Sequence, residues 1–544
     1  MPLIATLITA LFITVVMIPY LMRYAGPLGL VDLPNERKVH LHSVPRIGGV
    51  AIVIAFLVPF VIWFPKTQEF AGIIAGVVLL FVFGVWDDRR DISYRLKFGG
   101  QLLAAVAVVA VGDIRIEWIP FYSQPLESVW ISWVLTIFCL LAITNAMNLA
   151  DGLDGLAGGA SILSFGLVGL LSYQSGSYPL VLTTCAVAGS ILGFLRFNSH
   201  PARIFMGDTG SQFLGFILGV QVILLTQKVN TAMSSALPLL ILGLPVIDTA
   251  SVMIRRIVMG RSPFSPDKNH IHHRLLQMGL SHYETVVVLY FIQCAFIFLA
   301  YLLRFHVDAV VLAAFALYSL MLLAVIQLAL QGDWVRRHAV NMGNMGALLV
   351  SPFRRISQQS RLNNLLQIAL ALVIPLYSFY AVFSSDQLSP DIGVLAVMLA
   401  LMMAVNIVAP SKRGWLDAIG MYTACALIAY LGYQPERPAF WLLALDWFLV
   451  LLLGLAVWLS VMATSHRMFE TSPLDFLVIL LTILVPLLFG QFERHNEILL
   501  AVVKFIVLLY AFEYIRHGDR LININMIRTV LMVCLGVIGM GAVI

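Results

Sequence analysis

Charged residues are scarce in this sequence: Asp, Glu, Lys and Arg make up 11% of the 544 residues, whereas hydrophobic residues make up 60%. A soluble globular domain carries about 25% charged residues. The composition therefore excludes a water-soluble fold, and the mean hydropathy of +0.94 points the same way. The chain is expected to be a membrane protein.

Alternating segments of about ten residues, which build a transmembrane β-barrel, are also missing. Runs of about 17 to 25 apolar residues fill nearly the whole length instead, and each can cross a hydrocarbon core of about 30 Å as a helix. The predicted fold is an all-α polytopic transmembrane helical bundle.

The sequence has neither a cysteine framework nor a basic arm. Its cysteines lie inside apolar runs without metal-ligand or paired spacing, so we expect small core residues. Without a basic arm, nucleic acid is not an expected partner. The first apolar run, 3–22, has no basic head and is long enough to span, so we expect a first helix and not a cleaved signal peptide.

About eleven spans are predicted in the first part of the chain, near 3–22, 47–65, 71–86, 99–112, 129–147, 160–173, 179–196, 210–227, 234–254, 285–304 and 308–331. A basic cytoplasmic linker is predicted at 332–362, and about seven further spans of unknown role at 363–544. Within these, Asp446 and Lys504 lie in apolar runs, and we hypothesise that they pair. Basic loops should face the cytoplasm, which puts the N-terminus outside.

Five loops on that predicted cytoplasmic side hold most of the unusual polar residues. The first, VDLPNERKVHLHSVPRIGG, is either a phosphate-facing loop or an ordinary basic loop with turn residues. The second, DDRRDISYRLKFGGQ, places Asp87 and Asp88 at the end of a span, and Asp91 shares a face with Asp87 if the helix continues. Carboxylates there suit Mg²⁺, and one not bound to metal could orient or deprotonate a nucleophile. The alternative is a solvated helix end.

The third loop, TNAMNLADGLDGLAGG, repeats Asn145, Asn148, Asp151 and Asp154 at every third residue. Its glycines make an unbroken helix doubtful. Amides and carboxylates together suit a base edge, sugar hydroxyls and a metal. Hydrogen bonds between helices would explain one or two of these residues, but not all four.

The remaining two loops carry one aspartate and three histidines. In RIFMGDTGSQFLGF, Asp208 is either an N-cap or a metal carboxylate, and Phe205 offers a face for stacking. In RRIVMGRSPFSPDKNHIHHRLLQMG, a zinc site would need further nitrogen or sulfur ligands. Phosphate binding is favoured over zinc and over a solvated basic loop, through His270, His272, His273, Lys268 and Arg274.

The motifs DLPNERKVH, DDRRD, NAMNLADGLDG, FMGDTGS and SPDKNHIHH occur in this order across about residues 1–330, which resembles the polyprenyl-phosphate N-acetylhexosamine-1-phosphate transferases. This resemblance implies a Mg²⁺-dependent enzyme, or one using Mn²⁺. It would transfer a sugar-1-phosphate from a UDP-sugar to undecaprenyl phosphate and release UMP. Such enzymes of the bacterial cytoplasmic membrane begin cell-surface polysaccharides such as O-antigen of lipopolysaccharide and teichoic acid of the cell wall.

The resemblance also implies residue roles. Asp87 and Asp88 would be the catalytic pair, with Asp87 as base or lipid-phosphate contact, and Asp208 and Asp88 would bind the metal. The nucleotide would contact Asn145, Asn148, Asp151, Asp154 and Phe205. The sugar diphosphate would contact His270, His272 and His273, and phosphate groups would be held by Lys38, Lys268 and Arg274.

The HIHH form resembles that of the bacterial family members that use UDP-N-acetylhexosamines, which implies a UDP-GlcNAc-like donor, with phospho-MurNAc-pentapeptide transfer as the alternative. A different class, a lipid-linked-sugar or ion transporter, would place its polar residues near the bilayer midplane. The sequence leaves open the particular UDP-sugar, the polysaccharide pathway, a homo-oligomeric state and the role of residues 332–544, a part that members of the family usually lack.

Overall fold

A computed structural model of the chain describes residues 2–32, 43–262, 269–331, 372–379, 393, 396–397, 399–401, 403–404 and 524–541. The chain divides into two compact units, Met1–Ala339 with Ser472–Leu477 and Val340–Thr471 with Val478–Ile544. The described part is nearly all helix. The prediction of an all-α polytopic membrane bundle is confirmed.

The first unit begins with α1 (Pro2–Leu28), the two-residue strands β1 (Val31–Asp32) and β2 (Val44–Pro45), and α2 (Gly48–Trp63). It continues with α3 (Gln68–Arg90), α4 (Tyr94–Gly112), α5 (Val129–Ala150), α6 (Leu156–Gln174), α7 (Tyr178–Asn198), and α8 (Gly207–Leu224), which a π-turn extends to Val229. It ends with α9 (Leu237–Ile241), α10 (Gly243–Val258), α11 (Ile271–Gln277), α12 (His282–Leu303) and α13 (Asp308–Gln331).

Nine of the described helices are long and apolar enough to cross a membrane: α1, α3, α4, α5, α6, α7, α8, α12 and α13. Two of the predicted spans look different in the structure. Helix α2 has only 16 residues, and the segment 234–254 is not one helix but α9 followed by α10. Pro245 lies in the first turn of α10, where its missing N–H costs nothing, so the sequence suits a new helix start there.

Helix α8 is the central helix of the first unit. It packs against α2, α3, α5 and α6, and its apolar stretch is wholly buried. The outer helices instead leave large side chains such as Trp130 and Phe138 exposed, as expected for surfaces that face lipid.

Glycines let two helices approach α8 closely at the end where the site lies. A Cβ added at Gly84 of α3 would lie 2.7 Å from Thr209 Cα, and one added at Gly215 of α8 would lie 2.8 Å from Met147 Cβ. These distances are too short for any larger residue. The close packing brings the end of α3 and the end of α5 to the start of α8.

In the second unit, helix α14 (Ile524–Gly541) and a helical segment at 372–379 are described. Gly539 of α14 packs on Val397, whose Cγ2 would lie 2.4 Å from an added Cβ. The predicted linker 332–362 lies outside the described residues, as do Asp446 and Lys504. The domain boundaries at 331 and 362 stay a prediction.

Candidate functional site

Asp88, at the buried end of α3, caps helix α8. Its Oδ1 accepts the backbone N–H of Asp208 at 2.7 Å, and its Oδ2 accepts both the N–H (3.0 Å) and the hydroxyl (2.5 Å) of Thr209. Gly207 has φ +68°, and a Cβ there would lie 2.5 Å from Asp88 Oδ1. An aspartate from another helix thus satisfies N–H groups that the start of α8 leaves free.

Asp87 and Asp208 share one cation, the ammonium group of Lys97. Lys97 Nζ lies 3.0 Å from Asp87 Oδ2 and 2.9 Å from Asp208 Oδ1. Asp87 Oδ1 accepts the N–H of Ile92 at 3.0 Å. Asp87 Oδ2 is buried and faces the ammonium group of Lys97. Two carboxylates therefore converge on one half-buried positive charge.

A second cation, Arg46, lies among four carboxylates. Its guanidinium nitrogens are 3.6–3.8 Å from Asp32, Asp88, Asp91 and Asp208. Burial lowers the pKa of Arg46, but these carboxylates outweigh it and raise the pKa overall. The guanidinium therefore stays charged and partly balances the acidic cluster.

Backbone pairing fixes the segment that carries Arg46. The N–H of Phe205 donates to Pro45 O at 2.8 Å, and the carbonyl of Phe205 accepts the N–H of Gly48 at 2.9 Å. The main chain of Phe205 therefore joins the start of α2 to the segment before α8. The predicted stacking of its half-buried ring on uracil stays a prediction.

Asp91 does not continue the face that Asp87 occupies. Helix α3 ends at Arg90, and Asp91 follows in the left-handed conformation with φ 44°. Its carboxylate is exposed to solvent. A shared helix face was expected only if the helix continued, and this condition is not met because α3 ends at Arg90 and the chain turns at Asp91.

The two asparagines of the third loop have different surroundings. Asn148 donates through Nδ2 to Asp208 Oδ1 at 2.5 Å and to Ser211 Oγ at 2.7 Å, so it belongs to the carboxylate centre. Asn145 lies one turn deeper and donates to Gln101 Oε1 at 2.7 Å, while Gln101 Nε2 donates to Gln212 Oε1 at 3.0 Å. The side-chain amides of Asn145, Gln101 and Gln212 thus link α5, α4 and α8.

Asp151 ends helix α5 next to this centre. Burial raises the pKa of its carboxyl group to about 7, and the negative charges of Asp208, Asp154 and Asp88 add to the shift. Its neighbour Gly152 leaves room for a histidine, since an added Cβ would lie 2.4 Å from His272 Nε2. The predicted glycine-broken helix end is present.

Asp154 faces two histidines. Its Oδ2 lies 2.7 Å from His200 Nδ1, accepts the N–H of Ala202 at 3.0 Å, and is 4.0 Å from His282 Nε2. By residue type these three side chains could hold a metal ion. The imidazole rings stack, however, with centroids 4.1 Å apart and planes within 18°. Two in-plane lone pairs on stacked rings cannot converge on one ion, so the arrangement favours hydrogen bonding.

Two further contacts hold the turn that follows Asp154. Tyr290 OH donates to Gly155 O at 2.7 Å, and Gly155 N–H donates to Asn198 Oδ1 at 2.9 Å. Gly155 has φ +80°, a left-handed backbone conformation that glycine adopts without the steric cost of a side chain. The third loop is thus held by residues from α7 and α12.

The histidine loop is anchored by Asp248 of α10. Its Oδ2 lies 2.9 Å from His270 Nδ1, and its Oδ1 accepts the N–H of Ile271 at 2.6 Å. Burial lowers the pKa of His272 to about 3, so its ring is neutral. The ring of His273 packs on that of His272, with centroids 4.2 Å apart.

Of the three predicted phosphate-binding residues, the structure describes Arg274 alone. Arg274 donates through Nη2 to Gln327 Oε1 of α13 at 2.7 Å, so its side chain faces a neighbouring helix. Lys38 and Lys268 lie outside the described residues.

Sequence reasoning missed five residues that contact the predicted ones: Arg46, Lys97, His200, Asp248 and His282. Lys97 carried the clearest signal, because it follows the DDRRD motif on the same loop. The two histidines and Asp248 carried no local signal, since their partners lie far away in the sequence.

The first unit is a polytopic helical bundle of the kind that membrane proteins form. Its carboxylates and cations collect at one end of the bundle, where they form a polar site. Residues 70–226, which include nearly all of α3, helices α4 to α8, and the carboxylates of Asp87, Asp88 and Asp208, match the family model of glycosyl transferase family 4. The chain belongs to glycosyl transferase family 4.

Curated relatives agree with this membership. The chain is 38% identical over 304 residues to a probable undecaprenyl-phosphate N-acetylglucosaminyl 1-phosphate transferase of Bacillus subtilis, covering 55% of this chain and 84% of the relative. It is 34% identical to the undecaprenyl-phosphate alpha-N-acetylglucosaminyl 1-phosphate transferase of Yersinia pestis, covering 49% and 75%. It is 36% identical to the decaprenyl-phosphate N-acetylglucosaminephosphotransferase of Mycolicibacterium smegmatis, covering 52% and 77%.

Proposed function

We propose that this protein transfers a sugar-1-phosphate, GlcNAc-1-phosphate or that of a related N-acetylhexosamine, from a UDP-sugar to undecaprenyl phosphate. In this reaction an oxygen of the lipid phosphate forms a bond to the β-phosphorus of the UDP-sugar. The bond from that phosphorus to the bridging oxygen breaks, and UMP leaves. The names of the relatives support the acceptor and the transferred group.

The observation that carries the proposal is the pair Asp87 and Asp208 around the half-buried ammonium group of Lys97. Phosphoryl transfer needs positioning and charge neutralisation more than covalent chemistry. A transporter would need polar residues along a path near the midplane. The charged residues described here gather instead at the ends of α3, α5 and α8, which supports an enzyme.

The same pair fits a divalent cation. Mg²⁺ prefers a few carboxylate oxygens together with phosphate oxygens, and the buried Oδ2 of Asp87 already faces a cationic group, the ammonium of Lys97. Lys97 shows that this position accepts positive charge. Asp87 and Asp208 would hold the ion, whereas both oxygens of Asp88 are engaged by the start of α8. Asp88 as a metal ligand stays a prediction.

When bound, Mg²⁺ or Mn²⁺ would neutralise charge on the transferring phosphate groups. The chain's own residues would supply further positive charge and hold the carboxylates in position. Lys97 and Arg46 supply positive charge beside the carboxylates. Asn148 fixes the orientation of Asp208 by donating to its Oδ1. Asp88 holds the start of α8, and with it the position of Asp208.

The nucleotide would lie against the third loop and the histidine loop. Asp151, Gly152 and His272 bring these two loops into contact beside the carboxylate centre. Neutral His272 could accept or donate one hydrogen bond, while a charged group there would cost desolvation. This contact between the loops supports a sugar-donor substrate that binds to both of them, as a nucleoside diphosphate sugar would.

The test is UMP release by purified full-length protein with undecaprenyl phosphate, Mg²⁺ and a panel of UDP-sugars. We expect UMP with UDP-GlcNAc or a close relative, and no release without the lipid phosphate. UDP-MurNAc-pentapeptide serves as the competing donor, and its exclusive use would shift the assignment to the alternative reaction. Release with none of the donors would reject the transferase assignment.

Metal dependence is tested separately by adding EDTA and then restoring Mg²⁺ or Mn²⁺. We expect activity to vanish and return. Full activity in EDTA would reject the metal assignment while leaving the transfer reaction in place.

The site would face the bacterial cytoplasm, where UDP-sugars are made. Support comes from the basic residues near the site end of the bundle, Arg46, Arg89, Arg90, Arg95, Lys97, Arg203, Arg255 and Arg256, which the positive-inside rule places in the cytoplasm. Single cysteines at exposed Arg203 and at exposed Lys66 should be labelled from opposite sides of inverted vesicles. Labelling of both from the same side would contradict this orientation.

The transferase activity would belong to residues 1–331. This is supported by the relatives, which match 49–55% of the chain, and by the described site, which lies wholly in that part. A chain that ends at residue 335 should release UMP. Expression as a folded but inactive protein would show that the second unit is needed.

A further inference from the structure

Asp248 is a buried carboxylate that none of the predicted site motifs contains. It lies on α10, is 4% exposed, and both of its oxygens are engaged. One is 2.9 Å from His270 Nδ1, and the other accepts the N–H of Ile271 at 2.6 Å. The aspartate therefore contacts the side chain and the following backbone group of the first histidine in the HIHH motif.

This contact decides which nitrogen of His270 carries hydrogen. A carboxylate can only accept, so Nδ1 must be the protonated nitrogen. In the neutral ring, Nε2 is then the nitrogen left with a free lone pair, and in the charged ring it is a donor. Partners on one imidazole nitrogen commonly set the role of the other in this way.

The ring of His270 lies beside that of His272, which in turn contacts the third loop. The rings of His270 and His272 are nearly parallel, with planes within 11° and centroids 5.6 Å apart. His272 Nε2 then lies against Gly152, where an added Cβ would be 2.4 Å away. Gly152 directly follows Asp151 at the edge of the carboxylate centre.

We propose that Asp248 is a positioning residue that fixes the tautomer and ring orientation of His270, so that the lone pair of Nε2 accepts a hydrogen bond from a hydroxyl or N–H group of the bound UDP-sugar. The proposal rests on the proposed function for the identity of that ligand. Asp248 itself does not touch the substrate. It acts through His270, and the imidazole makes the contact.

The informative variant is Asp248→Asn, which keeps the shape of the side chain. Its amide oxygen can still accept the N–H of Ile271, but its NH₂ group would face His270 Nδ1. That nitrogen would then have to accept, which moves the hydrogen to Nε2. We expect kcat/KM for the UDP-sugar to fall at least tenfold, with the melting temperature nearly unchanged.

A double-mutant cycle separates positioning from general stability. If Asp248 acts through His270, Asp248→Asn should change kcat/KM little in a His270→Ala background. Additive losses would overturn the proposal. Asp308→Asn, at the opposite end of the bundle, is the matched control and should leave kcat/KM unchanged.

Nitrogen-15 NMR of histidine-labelled protein measures the tautomer without any turnover, and the His270→Ala spectrum assigns the signal. We expect Nδ1–H in the wild type and Nε2–H in Asp248→Asn. A wild-type ring with Nε2–H and unprotonated Nδ1 overturns the proposal. If no UDP-sugar releases UMP, the proposed function fails, while the NMR result still decides the role of Asp248.

Discussion

Asp208 and Asp308 each lie in the first turn of a helix, at opposite ends of the bundle, and their partners differ in kind. Asp308 accepts the backbone N–H groups of Phe121 (3.2 Å) and Ala236 (3.3 Å) and the hydroxyl of Ser234 (2.6 Å). Among the described residues, Asp208 has side-chain partners, Asn148 and the cations Lys97 and Arg46.

The difference separates structural from functional polar residues. A carboxylate that accepts backbone N–H groups ties loops together, and its contacts belong to the fold. A buried carboxylate surrounded by charged side chains is costly to maintain and is a candidate for chemistry. At the site end, the capping task that Asp208 could have performed falls to Asp88. This leaves the side chain of Asp208 directed at the cations.

The largest expected effect comes from making the same substitution at both ends. Asp208→Ala should reduce kcat by about 10²–10³-fold, because it removes one of the two carboxylates on the shared cation. Asp308→Ala should keep kcat but lower the free energy of unfolding by about 1–3 kcal/mol, since it leaves backbone donors unpaired. UMP release and thermal unfolding in detergent measure both. Equal activity in Asp208→Ala and Asp308→Ala would contradict the distinction between the two aspartates.

Asp88 should combine both kinds of effect. Asp88→Ala removes the cap of α8, which we expect to cost about 1–2 kcal/mol of stability, and kcat should fall because Asp208 moves with the helix start. Thr209→Val, which loses only the hydroxyl contact, is the control and should retain most activity. An active Asp88→Ala protein with an unchanged melting temperature would contradict the capping role.

A pH effect is expected from Asp151. Its pKa is raised from an ordinary value of 3.8 to about 7 in the folded protein. Between these values the folded state binds more protons than the unfolded state, so stability should fall as pH rises from about 4 to about 7. Asp151→Asn should flatten this slope. Melting temperatures measured in EDTA across this range test it, and parallel curves for the two proteins would contradict it.

The smallest effect is expected in the amide cluster of Asn145, Gln101 and Gln212. Hydrogen bonds between membrane helices contribute about 0.6 kcal/mol on average, so Asn145→Ala should lower the melting temperature slightly and keep most activity. Asn148→Ala, one turn closer to the centre, should lose activity more strongly. A greater loss of activity in Asn145→Ala would place the nucleotide against Asn145, as its motif suggests.

Sequence patterns were sufficient for the helical class and for the loops that build the site. Apolar runs marked the helices because a lipid environment requires backbone groups to pair within each span. Polar residues stood out in the loops because they are rare elsewhere in this chain. The segment 234–254, predicted as one span, is divided into α9 and α10, a helix break before Gly243 that hydropathy does not register.

From the motifs and their order alone, Asp87, Asp88, Asn148 and Asp208 were predicted to share one site. Their contacts could not be predicted, because they depend on which donors reach each carboxylate in three dimensions, and those donors come from distant segments. Asp88 and Asp208, 120 residues apart, meet through a backbone N–H. Lys97 contacts Asp87 of α3 and Asp208 of α8. Asp88 instead accepts hydrogen bonds from the start of α8.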